Sequence, residues 1–191
     1  MVESLLKSIR HCTLCANNLP LKPKPILQGS KHSRILIAGQ APGAITHEKG
    51  ITFDDKSGER LRSWLGVNSA TFYNQKMFAI APMAFCYPGK GKTGDLPPPV
   101  ICATTWRKQL IANMPKIELT IILGKYAVDW HLQTKESITT LAQQWQNSLT
   151  NNQLVLPHPS PRNNIWLKKN SWFEAEVVPQ LQRTVNKILI S

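Results

Sequence analysis

Four short apolar runs rich in β-branched residues, separated by stretches of helical character, constrain the fold of this chain more than any other feature. They are residues 34–40 (RILIAGQ), 77–84 (MFAIAPMA), 119–124 (LTIILG) and 153–157 (QLVLP). Helical character falls on residues 58–65, 99–114, 125–132 and 138–146, and a last helix is expected from Trp172 to about Leu189. Strands alternating with helices predict an α/β fold, a three-layer α/β/α sandwich around a mainly parallel four-stranded sheet. In such sheets the binding crevice lies beyond the carboxyl ends of the strands.

The chain places its unusual residues at those ends. Gly39-Gln40-Ala41-Pro42-Gly43 closes the first run, residues 82–94 follow the second, and His158-Pro159-Ser160-Pro161-Arg162 follow the fourth. Gly and Pro belong in ordinary turns too, but three such loops on one face favour a site over mere turns. Residues 89–99 (GKGKTGDLPPP) form the one long loop, and its two lysines could meet phosphate.

At 191 residues the chain is long enough for one full core and short for two, so a single domain over 1–191 is expected. Its 23 Lys and Arg against 11 Asp and Glu leave a formal charge of +12. That excess suits a polyanion such as nucleic acid, whose neutralised phosphates release counterions, or a membrane surface, although solubility alone can also explain it. No apolar run is long enough to span a bilayer, and the opening MVESLLKSIRHC does not read as a signal peptide. A cytoplasmic, monomeric protein is expected.

In that compartment four cysteines point to metal ligands or free thiols rather than disulfides. Two residues separate Cys12 from Cys15, 70 separate Cys15 from Cys86, and 15 separate Cys86 from Cys102. A local CxxC can place two thiolates on one metal, and folding must bring in the distant pair. The competing reading is an inert CxxC with two buried core thiols. Six tryptophans are conspicuous, but Trp64, Trp106, Trp130 and Trp172 fall in helical segments and are read as core.

The GQAPG loop together with the HPSPR loop resembles the two signature loops of the uracil-DNA glycosylases. The order Cys12-x-x-Cys15, GQAPG, Gly50-Ile51-Thr52-Phe53, Ser57-Gly58, Cys86, Cys102 and a final His-Pro loop is similar to the iron–sulfur branch, family 4. The continuation through Asn163 is closer to the single-strand-selective branch. The resemblance implies a protein that flips a deaminated base out of DNA and hydrolyses its glycosidic bond. It also implies a 4Fe–4S cluster on Cys12, Cys15, Cys86 and Cys102, with structural zinc as the alternative for four thiolates. Two positions depart from family 4. Gln40 replaces an acid, and Pro82 stands where the family has an Asn that reads uracil.

Cutting the bond leaves negative charge on the departing base and oxocarbenium character on the sugar. His158 is the candidate donor to a base oxygen, because neutral imidazole gives one N–H without transferring a proton. Phe53, among polar neighbours, is the candidate stacking platform. Gly39, Ala41 and Pro82 are expected to line the base pocket. Gln40 can orient water but cannot act as a base, so the nearby Asp54, Asp55, His47 and Glu48 are the candidate substitutes, with Asp54 and His47 ranked first on sequence proximity. Gly43, Ser160, Pro161, Arg162, Asn163 and Lys168 are expected to meet DNA, with Arg162 filling the hole the base leaves. Two other functions remain open: a non-cleaving binder of damaged or single-stranded DNA, and a hydrolase of free nucleosides. The second has no need for the positive charge or the stiff HPSPR loop.

Overall fold

The computed structural model describes residues 2–191. Four strands, β1 (Ile35–Ala38), β2 (Phe78–Ile80), β3 (Leu119–Leu123) and β4 (Gln153–Leu156), form one parallel sheet in the order β2-β1-β3-β4. Each strand is the centre of one of the four apolar runs. Nearly every strand side chain is buried, as expected where helices cover both faces of a parallel sheet.

Alternation along the strands divides the core. Ile35, Ile37, Phe78, Ile80, Ile121 and Leu154 face a layer that includes Trp64 and Leu65 of helix Lys56–Leu65 and Leu181 and Val185 of helix Val178–Ile190. Leu36 and Ala79 face the opposite layer, with Leu110 of helix Lys108–Ala112 and Leu6 and Ile9 of helix Val2–Arg10. Ala38, Ile122 and Val155 continue that face under helices Lys125–His131 and Ile138–Gln143. The result is the expected three-layer sandwich. Of the four tryptophans read as core, Trp64 is buried, while Trp106, Trp130 and Trp172 are partly buried against the clusters.

The amino-terminal helix is an addition to the sequence reading. Val2, Leu6 and Ile9 recur at helical spacing and are buried, so the helix is anchored on the Leu110 layer just before Cys12. No helix among the described residues is long and apolar enough to cross a membrane.

Since β1 leads to β2 on one side while β3 leads to β4 on the other, the strand order reverses between β1 and β3. This switch point opens a crevice at the carboxyl ends of the strands. A buried cation braces it from behind. Residues 100–112 form one helix interrupted by a π-helical stretch, Ala103–Arg107. Arg107 is 1% exposed; its Nη1 donates to the carbonyls of Ala81 (2.8 Å) and Pro82 (3.1 Å), and Nη2 lies 2.8 Å from His131 Nε2. Its guanidinium also stacks on Trp130 at 5.1 Å.

Arginine cannot accept, so His131 Nε2 takes the hydrogen bond and the ring is neutral. Burial, with the adjacent Arg107 charge, lowers the His131 pKa from 6.5 to about 3. The unfolded chain therefore binds that proton near pH 6.5 and the folded chain only near 3, so stability falls as pH drops across this interval. His131→Gln, which keeps an acceptor but cannot titrate, is expected to flatten that decline in urea unfolding midpoints measured from pH 7 to 4.

Candidate functional site

The crevice is a cavity of about 710 Å³ lined by the loops that follow the strands. Gly39, Gln40, Ala41 and Gly43 enter from β1, Pro82 from β2, Tyr126 from the turn after β3, and His158, Ser160, Arg162 and Asn163 from β4. Phe53 lines it from the segment before helix Lys56–Leu65. Ten of the residues singled out in the sequence are thus brought together.

His158 is the best-defined polar group. The backbone N–H of Ser160 donates to its Nδ1 at 3.2 Å, and the Asn163 side-chain amide donates to its carbonyl at 2.7 Å. Burial lowers the His158 pKa, reinforced by Arg162 and opposed by Asp55 and Asp95. A neutral ring whose Nδ1 accepts must carry its hydrogen on Nε2. That Nε2–H has no partner among the described residues, so it is available to a ligand. The loop itself is held by Arg60, which donates to the Ser160 carbonyl (3.1 Å) and to Asn164 Oδ1 (2.8 Å). Ser160 Oγ caps the turn Pro161–Asn163 by accepting from Arg162 N.

Phe53 sits in the left-handed region at φ 55°, which costs a non-glycine residue free energy and needs support. Arg62 donates to the Phe53 carbonyl at 3.0 Å, and the Phe53 ring meets Phe72 edge-on at 6.2 Å. Gly58 permits this close approach, since a Cβ there would fall 1.7 Å from the Phe53 carbonyl oxygen. Gly58→Ala is therefore expected to cost about 3 kcal/mol in denaturant unfolding, in the range of overpacked cores, and to loosen Phe53.

Four other residues do not reach the cavity. Asp54 turns outward from the Phe53 bend and pairs with Lys49 at 2.9 Å. The His47 ring lies 6.0 Å from that of Tyr87 with Nδ1 buried and unpartnered. Pro161 and Lys168 lie on the exposed outer side of the last loop and helix Asn164–Lys169. The carboxylates that do line the cavity are Asp55, a lower-ranked candidate from the sequence, and Asp95, which the sequence does not single out. Asp55 had one legible signal: it precedes a helix, and its Oδ1 caps that helix through Gly58 N at 2.9 Å. Gln40 also does more than line the pocket, because its Nε2 donates to the Leu96 carbonyl at 3.2 Å.

All four cysteines line one small cavity with Pro23, Pro25, Phe85 and Pro99. None is in a disulfide. Burial raises the thiol of Cys15, pushes Cys86 to about 11 and Cys102 to about 12, and the neighbouring cysteines add to each rise. Trp106, read as core, donates Nε1–H to Cys12 Sγ at 3.3 Å. Four converging sulfurs in an apolar wall fit a metal group held by thiolates, whose positive charge would offset the cost of ionising them. Among the described residues, no three His, Cys, Asp or Glu side chains close to single-ion spacing.

The family model for the uracil DNA glycosylase superfamily matches residues 27–182. The chain belongs to that superfamily. Members of the uracil DNA glycosylase superfamily are typically DNA glycosylases, so the cavity at the switch point stands in a DNA-acting family. The match spans both signature loops and the segment between them, whereas Cys12 and Cys15 lie before it.

Proposed function

We propose that this chain is a DNA repair glycosylase that flips a deaminated base into the cavity and hydrolyses its bond to deoxyribose. The observation that carries the reading is His158, whose neutral ring offers Nε2–H into a cavity walled by both signature loops. A fixed donor aimed at a base carbonyl oxygen stabilises the charge that develops as the bond to the sugar breaks. Phe53 offers a ring face for the flipped base, and its backbone is pinned by Arg62. Arg162, Ser160, Pro161, Asn163 and Gly43 form the DNA-facing rim in this reading, with Lys168 contributing charge further out.

Uracil is the first substrate. Because Pro82 offers the base edge no side-chain hydrogen bond, the pocket has less means to reject hypoxanthine or xanthine. Cys12, Cys15, Cys86 and Cys102 would hold a 4Fe–4S cluster, with zinc as the alternative. When bound, that group supplies a cross-link between the amino-terminal segment, the loop after β2 and the helix of residues 100–112. The chain's own residues perform every step at the base. Lacking a buried acid at Gln40, whose amide is tied to Leu96, the chain also fits a second reading, a damage binder that does not cleave.

The test compares a uracil-containing oligonucleotide with free deoxyuridine. Release of uracil from the oligonucleotide alone, with affinity that falls steeply with salt, is the expected result. Equal hydrolysis of the free nucleoside would contradict it, and salt-sensitive binding without release would favour the damage binder.

A further inference from the structure

Resting on the glycosylase reading, we infer that Asp95 supplies the carboxylate that activates water in this site. Asp95 belongs to the loop between Gly89 and Pro99, which is a closed hairpin. Lys90 and Asp95 form a β-bridge, Gly91 N donates to the Gly94 carbonyl at 2.6 Å, and Leu96 N donates to the Gly89 carbonyl at 2.8 Å. Both signature loops approach this hairpin, and the first is bonded to it. From the first, Gln40 donates to the Leu96 carbonyl, one residue beyond Asp95. From the second, Arg162 reaches Gly94, where a Cβ would lie 3.0 Å from Nη1.

The carboxylate itself faces the cavity. Asp95 is one of its lining residues, and Oδ2 would lie 3.4 Å from a Cβ placed on Gly43 across the opening. Asp95 forms no side-chain hydrogen bond or ion pair among the described residues. The alternatives are less free: Asp55 lines the cavity too but its Oδ1 caps a helix, Asp54 pairs with Lys49 away from the cavity, and the Gln40 amide has no basic atom. Asp95 is therefore the lining carboxylate with both oxygens unpartnered among the described residues.

In the step assigned to it, the bond between C1′ and the base nitrogen breaks and its electron pair leaves with the base. The oxygen of a water bonds to C1′, and the proton that water loses passes to the Asp95 carboxylate. The departed base then takes a proton from solvent. Until that transfer, the anion also stabilises positive charge on the sugar. Gln40 thus acts as a positioning residue, holding the Asp95 hairpin in place of carrying the acid itself.

Single-turnover release of the base that the wild type excises, measured beside affinity for an oligonucleotide carrying a tetrahydrofuran abasic analogue, tests this assignment. Asp95→Asn is expected to slow release about 100-fold, to leave affinity within about threefold, and Asp95→Glu to recover much of the rate. Release by Asp95→Asn within about threefold of the wild type would remove Asp95 from the chemistry while leaving the glycosylase reading intact. A rate loss matched by an equal loss of affinity would make Asp95 a binding group and overturn the assignment. A wild type that releases no base from any DNA would remove the glycosylase reading, and the role of Asp95 with it.

Discussion

His158→Ala is expected to lower single-turnover base release by about 10²–10³-fold, the usual cost of losing one preorganised donor at a developing oxyanion. Affinity for DNA should change little, because the rim residues that meet the backbone are untouched. His158→Gln is a sharper control. It keeps an N–H donor on a flexible side chain but loses the Ser160 N–H to Nδ1 bond that fixes the ring. Partial activity in Gln with little in Ala identifies a hydrogen-bond donor, and equal loss in both identifies the ring's placement as decisive. Since burial and Arg162 lower the His158 pKa, the donor is neutral at and above the ordinary histidine value. Raising pH through neutrality should therefore not reduce release through this residue, whereas a protonated-histidine mechanism would lose rate there.

The second large effect is expected at a residue that touches no ligand. Arg107→Ala removes both hydrogen bonds to the carbonyls of Ala81 and Pro82 and the cation stacked on Trp130. Buried acceptors left without donors cost about 1–3 kcal/mol each, and the truncated side chain adds a cavity. Against this stands the relief of a buried charge, which can make an apolar replacement of similar size nearly neutral. Net destabilisation of about 3 kcal/mol is expected for alanine, a fall in melting temperature of roughly 6–12 °C at this chain length. Arg107→Met fills the volume and isolates the polar part of the loss. A methionine variant as stable as the wild type would show that the carbonyls find other partners. Because Pro82 is a wall of the cavity, either variant should also weaken base release more than DNA affinity.

The fold was legible because burial on both faces of a parallel sheet leaves continuous apolar runs, and Ile35–Ala38 and Leu119–Leu123 are such runs. The position of the site followed from strand topology, which puts Gly39–Gly43 and His158–Arg162 at the same end of the sheet. Residues whose role depends on distant partners were not legible. Arg107 sits in a helix where a basic residue ordinarily marks the solvent face, and only the fold shows it buried against β2's loop. Asp54 and His47 are marked in the sequence only by nearness to the signature loop along the chain. The left-handed turn at Phe53 leaves Asp54 paired with Lys49 outside the cavity. Asp95 lies in a Gly- and Pro-rich loop that reads as a solvated linker. Its Lys90 bridge and the Gln40 tether, both formed by folding, bring it to the cavity. The amino-terminal helix is hard to read from sequence because its short apolar face has meaning only against Leu110 and Met114.

Base release resolved by mass spectrometry is the most direct measurement. Single- and double-stranded oligonucleotides carrying uracil, hypoxanthine or xanthine would be incubated with the protein, and free base and abasic strand quantified together. Equimolar free base and abasic strand from at least one substrate, lost in His158→Ala, is the result predicted here. Intact strands throughout, with salt-sensitive binding preserved, would contradict a glycosylase and leave a protein that holds damaged DNA without cutting it.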